Sequence, residues 1–138
     1  MVDPDLIEAY RDAKYIVRID DKEHRLHVGK TCRAVELLLE KYGRTSVFFI
    51  SPENPFSEQL SESENALRHS QFIKTLNKNA SVFFEGFGTD ENETWPREKS
   101  YLILSDDESE MTSLAHSFGQ NAMLKNERGN IVELLVLF

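Results

Sequence analysis

Cysteine is nearly absent from this sequence, which has one such residue, Cys32, among 138. A single thiol cannot form an internal disulfide, so a secreted domain stabilised by disulfides is excluded. Residues 1–4 also lack the basic and apolar regions of a signal peptide. These two absences predict a cytoplasmic protein.

Positive charge is scarce as well, because 16 Lys and Arg residues stand against 24 Asp and Glu, for a net charge of -8. Attraction to a phosphate backbone would need a local basic patch, so we expect no nucleic-acid partner. The longest apolar runs, residues 47–50 and 134–138, are far shorter than the roughly 20 residues that cross a bilayer. We therefore expect no membrane association.

Glycine and proline are few, with six and four residues, and neither is concentrated in a linker. The chain shows no internal repeat and no break in composition. A length of 138 residues with 40% hydrophobic and 10% aromatic residues is typical of one compact core. The sequence predicts a single domain over residues 1–138.

Helical and extended patterns alternate along this domain. Helical spacing and caps predict helices over residues 3–13, 35–43, 61–77 and 105–118. Runs of β-forming residues predict strands over 15–19, 26–28, 46–50, 81–85, 101–104, 122–125 and 131–137. We predict an α+β fold, α/β-like in its alternation, with one mixed β-sheet of about six or seven strands and about four helices packed on it.

The run 46–50 is continuously apolar, which favours a central strand covered on both faces. The following helix begins with a capping box at Ser61 and Glu64, and the strand 81–85 comes after it. Strand, helix and strand in this order predict one parallel crossover. A second capping box is predicted at Ser105 and Glu108.

Two motifs of reactive residues are better explained by structure than by chemistry. The Gly-Lys-Thr tripeptide at 29–31 lacks the glycine that a phosphate-binding loop needs five residues earlier, where His24 stands. His24, His27 and Cys32 are close in sequence, but the odd spacing of the histidines on a strand directs them to opposite faces. We predict no metal site and no identifiable cofactor, and a buried, quiet Cys32.

Polar residues follow the predicted central strand. Asn54 precedes a proline, which favours an extended conformation and directs its amide toward a cleft at the strand's carboxyl end. Asn65 and Arg68 share one face of the next helix near that loop. Their amide and guanidinium groups are suited to a polar ligand, although a turn cap at Asn54 and a surface salt link at Arg68 are alternatives.

Two later segments add candidates. Gln120 lies between a helix stop and a strand, where the neighbouring Asn121 has a local role in a turn and Gln120 has none. Trp95 stands near the charged pair Arg97 and Glu98, and a tryptophan on a loop anchors either the core or the flat face of a ligand. Trp95, Glu98 and Gln120 therefore join the predicted ligand-binding set.

These same segments resemble the signature of a bacterial family, catalogued as domain of unknown function 3293. The motifs that carry the resemblance are Asn54-Pro55, Ser61 to Asn65, Trp95 to Tyr101 and Phe118 to Ala122. The resemblance extends over residues 10–136 and marks Asn54, Pro55, Asn65, Trp95, Glu98, Gly119 and Gln120. It implies a small bacterial protein and implies no activity.

Three functional hypotheses follow. The first is binding of a small polar ligand, which includes nucleotide-like ligands, by Asn54, Asn65 and Gln120, since amides orient ligands well but transfer protons poorly. The second is an acidic protein-interaction module, monomeric or dimeric through the apolar segment 134–138. The third is an enzyme with Glu98 as general acid or base. The sequence leaves the presence of an enzymatic activity open.

Overall fold

A computed structural model of the chain describes residues 2–138. The helices are α1 (Pro4–Asp12), α2 (Arg33–Tyr42), α3 (Glu62–Lys78) and α4 (Glu108–Ser117). The strands are β1 (Lys14–Ile19), β2 (Lys22–Leu26), β3 (Ser46–Ile50), β4 (Phe83–Thr89), β5 (Glu98–Leu104), β6 (Ala122–Glu127) and β7 (Val132–Val136). These seven strands and four helices of the described residues confirm the predicted α+β class.

Side-chain caps define where three helices begin. Asp3 accepts a hydrogen bond from Asp5 N at the start of α1, and Ser61 forms the predicted capping box with Glu64 at α3. The predicted capping box at Ser105 is wrong, because Asp107 is the N-cap of α4 and accepts from Glu110 N at 3.0 Å. Within the described residues, no helix combines the length and the apolar surface that crossing a membrane requires.

The strands form one sheet in the order β2-β1-β4-β5-β3-β6-β7, and each pair of neighbours is antiparallel. β3 and β4 are both antiparallel to β5 and therefore run parallel to each other, as the predicted crossover through α3 requires, with β5 between them. The segment from β3 to β6 thus has the split β-α-β order of a ferredoxin-like arrangement. The hairpin β1-β2 extends one edge, and β7 extends the other.

The sheet curls until its two ends meet. An isolated parallel bridge joins Val28, just after β2, to Val132 in β7. Gly29 N donates to Val132 O at 2.8 Å, and Val132 N donates to Lys30 O at 2.9 Å. The sheet therefore has a concave face, enclosed on several sides, and a convex face.

Each face of the sheet carries its own apolar core. On the convex face, α3 and α4 cover alternate residues of β3 and β5, and Phe48, Tyr101 and Phe72 lie at the centre of that cluster. On the concave face, α2 fills one end of the curl with Val35, Leu38 and Leu39, which pack against the other alternate residues of the same strands. At the opposite end of the concave face lies α1, which has no buried residue, whereas α2 buries three.

β4 and β5 both extend into the segment between the strands predicted over 81–85 and 101–104. One predicted strand ended at residue 85 and the next began at residue 101, whereas β4 continues to Thr89 and β5 begins at Glu98. The difference arises because Gly86 and Gly88 indicate a loop in the sequence but are paired with β1 and β5 in the sheet. The added ladder brings Glu98 and Ser100 onto the concave face.

Candidate functional site

A cavity of about 450 Å³ occupies the end of the concave face that α2 does not fill. Six strands contribute to its wall, and α1 covers it. Its apolar surface comes from Tyr15 on β1, Phe49 on β3, Leu124 on β6 and Leu134 on β7. A mostly apolar concavity of this size with a few convergent polar groups is typical of a small-molecule site.

The residue pattern of β5 explains why the cavity is polar on one side. Successive concave-face positions are Leu104, Leu102, Ser100 and Glu98, so the same face changes from apolar to polar along the strand. Leu102 and Leu104 pack in the core beneath α2, whereas Ser100 and Glu98 line the cavity. The change marks the boundary between core and cavity.

Of the two carboxyl groups that line the cavity, those of Asp90 and Glu98, only the one of Glu98 has a raised pKa. Burial raises the pKa of its carboxyl, while hydrogen bonding by the Asn54 amide and the Trp95 indole opposes that rise and the charge of Glu53 adds to it. Trp95 Nε1 donates to Glu98 Oε1 at 3.2 Å. Burial also raises the pKa of Glu53. The cavity therefore holds a carboxylate at a cost in solvation.

The helix α1 is attached over the cavity by a hydroxyl network. Tyr10 OH shares a hydrogen bond of 2.5 Å with Ser57 Oγ, and Asn121 Nδ2 donates to Tyr10 OH at 3.0 Å. Tyr15 OH donates to Tyr10 O at 2.5 Å. The pKa of Tyr15 is raised, chiefly by burial, so its hydroxyl stays protonated. These bonds join α1, β1, the 55–57 turn and Asn121, the residue before β6, around one opening.

Asn54 organises the loop after β3. Its Oδ1 accepts from Leu60 N and from Asn65 Nδ2, both at 2.9 Å, and its own N donates to Asn65 Oδ1 at 3.1 Å. Asn54 adopts φ 49°, a left-handed conformation that asparagine tolerates, where the sequence predicted an extended one. The loop is thereby closed on itself and tied to α3.

Arg68 and Gln120 attach this loop to the turn after α4. Arg68 Nε donates to Pro52 O at 2.8 Å, and its terminal nitrogen donates to Phe118 O. Gln120 Nε2 donates to Glu53 O at 2.8 Å. Gly119 has φ +68°, and a Cβ there would lie 2.8 Å from Pro55 Cβ, so the two segments touch through a position that favours glycine.

The loop between β4 and β5 presents Trp95 at the rim. Asp90 Oδ1 accepts from Trp95 N at 2.8 Å, and Asp90 Oδ2 accepts from Thr94 Oγ1 at 2.5 Å. Thr89 Oγ1 donates to Trp95 O at 2.6 Å. The Trp95 side chain is 45% exposed, so its ring is held at the opening and not in the core.

Four of the six predicted ligand-binding residues line the cavity: Asn54, Trp95, Glu98 and Gln120. Asn65 and Arg68 do not line it, because their polar groups bind the loop from behind. Sequence analysis missed Tyr10, Tyr15 and Ser57, and it gave Asn121 only a role in a turn. A predicted strand that began at Glu98 would have shown the change from apolar to polar residues along one face of β5, which indicates where the core ends and the cavity begins.

The lining is acidic and lacks basic groups. Asp90 and Glu98 contribute carboxylates, and among residues 2–138 the lining contains no Lys, Arg or His. Across the same described range, no group of three or more His, Cys, Asp or Glu residues is arranged to hold a metal ion. Anionic ligand groups would meet repulsion here without a compensating cation.

Replacing Glu98 with glutamine is expected to stabilise the protein at neutral pH. Burial raises the folded-state pKa of Glu98, so the unfolded chain ionises first as pH rises and wild-type stability falls between the unfolded and folded pKa values. We expect Glu98→Gln to raise the melting temperature by a few degrees at pH 7, which corresponds to about 1 kcal/mol in the free energy of unfolding. Below the unfolded pKa, near pH 4, the difference should vanish.

Thermal unfolding between pH 4 and pH 8 measures this effect. Glu85 provides the control, because Glu85→Gln removes the same charge from an exposed position of the same sheet. A Glu98→Gln variant that is less stable than wild type at pH 7 would contradict the assignment of a solvation cost to this carboxylate.

Comparison with known proteins adds one match. A family model described as Protein of unknown function (DUF3293) matches residues 50–123. No curated protein and no solved structure matches the chain. The matched segment runs from the end of β3 into β6 and includes Asn54, Trp95, Glu98 and Gln120, whereas Tyr10 and Tyr15 lie outside it.

Proposed function

Since the chain belongs to the DUF3293 family, whose description assigns no activity, we propose its function from the cavity: it binds a small polar ligand beneath α1. The observation that carries this proposal is the combination of an apolar floor with a rim of Asn54, Glu98 and Asn121 in one space of about 450 Å³. The floor would contact the body of the ligand, and the rim would orient its polar groups.

The chemistry of the lining narrows the ligand. The Asn54 amide is engaged by Leu60 N, Asn65 and Glu98, whereas the amide oxygen of Asn121 and the hydroxyl oxygens of Ser57 and Thr94 offer acceptors to a ligand. A nucleoside suits this lining better than a nucleotide, because no basic side chain lines the cavity within the described residues to neutralise a phosphate. Neutral or positively charged polar molecules are therefore the proposed class.

A thermal-shift screen with a cavity-blocking variant tests the proposal. Ala9 lines the cavity from α1, so Ala9→Trp should place an indole in the opening. A ligand at about one hundred times its dissociation constant should stabilise wild type by about 2.7 kcal/mol, or several degrees in melting temperature. Ala9→Trp should lose that shift for nucleosides, amines and other small polar metabolites that give one.

The matched control is Glu8→Trp, which places the same side chain on the neighbouring, exposed residue of α1, outside the lining. Glu8→Trp should keep every shift that wild type shows. If no compound stabilises wild type, or if Ala9→Trp keeps all of the shifts, the cavity is not the binding site.

Proton transfer by Glu98 is a second candidate, favoured by one observation. Burial raises the pKa of this carboxyl toward the pH at which a general acid operates best. Conversion of a bound ligand by wild type, and its loss in Glu98→Gln while binding persists, would support an enzyme over a binding protein.

The interaction-module hypothesis has support on the surface. Phe56 and Phe138 form an edge-to-face pair with ring centroids 5.0 Å apart, and they are 56% and 38% exposed. Phe138 lies two residues after the exposed Val136, at the end of the edge strand β7. A strict monomer in light scattering at high concentration would contradict the form of this hypothesis in which the protein self-associates.

A bacterial and cytoplasmic setting is part of our proposal, supported by the family resemblance and by the free, buried thiol of Cys32.

A further inference from the structure

The carboxylate of Glu98 lacks a countercharge. No Lys, Arg or His forms an ion pair with it among residues 2–138. The groups that face it, the Trp95 indole at 3.2 Å and the Asn54 amide, are neutral donors. Glu98 is partly buried, and charges withdrawn from water in proteins are ordinarily paired, so this position in the cavity is suited to a cation that the chain itself does not supply.

Asp90 does not compete for such a cation. Its Oδ1 accepts from Trp95 N and its Oδ2 from Thr94 Oγ1, so both oxygens serve the loop that holds Trp95. Hydrogen bonds from Thr94 and from Trp95 N keep the pKa of Asp90 low. Asp90 therefore adds negative potential at the rim, while Glu98 is the carboxylate that faces the cavity with fewer partners.

Aromatic rings surround the same space. Tyr10, Tyr15, Phe49 and Trp95 all line the cavity, and Tyr15 and Phe49 meet edge to face at 5.9 Å. Rings attract cations through their negative faces, and clusters of rings beside a carboxylate recognise substituted ammonium groups. An apolar, ring-lined wall also accepts the organic part of such a ligand.

From these observations we infer that the ligand of this cavity is an organic cation, an ammonium or amidinium group on an apolar body, bound with its charge against Glu98 and the aromatic lining. This inference rests on the proposed function, because it names the ligand class of the same cavity. It excludes phosphate and carboxylate ligands, which would meet Glu98 and Asp90 without a basic side chain.

Three small probes of equal size separate charge from shape. Benzylamine is cationic at pH 7, benzyl alcohol is neutral and benzoate is anionic, and each carries the same ring. NMR titration of wild type at low salt should give benzylamine a dissociation constant at least about tenfold lower than that of benzyl alcohol, with benzoate the weakest. Glu98→Gln should reduce the preference for benzylamine to the smaller part that the aromatic rings supply, and Glu85→Gln should preserve the tenfold preference.

The outcomes distinguish this inference from the proposed function. If benzyl alcohol binds wild type as tightly as benzylamine and Ala9→Trp weakens both, the cavity binds ligands but the cation inference is overturned. If none of the probes binds in a manner that Ala9→Trp changes, both are overturned. A cation preference that Glu98→Gln leaves undiminished would also overturn the inference, because the inference places the charge of the ligand against the Glu98 carboxylate.

Discussion

Replacing Gly86 with alanine is expected to cost about 3 kcal/mol or more of folding free energy, enough to unfold much of a marginally stable domain. Gly86 lies in β4 opposite Val17 of β1 and Ser100 of β5. A Cβ at this position would lie 2.2 Å from the backbone oxygen of Ile16 and 3.0 Å from a ring carbon of Phe49. A backbone atom cannot rotate away, so β1 would have to separate from β4.

Gly88 is the matched control, because it lies two residues further along β4 on the same face. A Cβ on Gly88 would be 3.5 Å from Tyr15 Cδ1, an ordinary contact, so Gly88→Ala should cost less than about 1 kcal/mol. Urea unfolding followed by circular dichroism compares the two variants. Equal stability of Gly86→Ala and Gly88→Ala would show that the close approach of β1 is not required for the curled sheet.

Asn54→Ala is expected to cost about 2 to 4 kcal/mol and to weaken ligand binding in the cavity. The substitution leaves Leu60 N and Asn65 Nδ2 without their acceptor, and both bonds lie in a partly buried region. It also places alanine in a left-handed conformation that costs about 1 to 2 kcal/mol. The loop would lose the internal bonds that keep it in place beside Glu98.

Asn54→Gly separates these two causes, because glycine accepts φ 49° while it also lacks the amide. It should be more stable than Asn54→Ala by about 1 kcal/mol and still less stable than wild type. Gln120→Ala, which removes one side-chain bond to Glu53 O, should cost about 1 kcal/mol. An Asn54→Ala variant that is as stable as Gln120→Ala would argue against a central role for Asn54.

The local parts of the fold were predictable because their causes lie within a few residues. The capping box at Ser61 needs only Glu64 three residues later, and the end of α2 needs only Gly43 in the left-handed region. The continuous apolar run of β3 similarly predicted a strand buried on both faces, and each of its residues is buried. The error at Ser105 is of the same local kind, since Asp107 caps α4 in its place.

The candidate site was only partly predictable. Asn54, Trp95, Glu98 and Gln120 were predicted to bind a ligand because they lie beside the predicted strands, and all four line the cavity. Asn65 shares one face of α3 with Arg68 near the loop after β3, yet its amide is used by Asn54. Spacing along a helix shows which face a residue occupies but not whether a neighbouring loop already binds its polar atoms.

Taken alone, the sequence determined the charge of this protein through its composition. It also determined the order of its helices and strands and the caps of α1 and α3, because these depend on short-range periodicity and local hydrogen bonds. Only the tertiary structure decided that β5 enters between β3 and β4, since backbone pairing carries little sequence information over such distances. The same long-range packing brought Tyr10, Asn121 and Glu98 around one cavity. These residues are far apart in the chain, and the curl of the sheet is the physical reason that they meet.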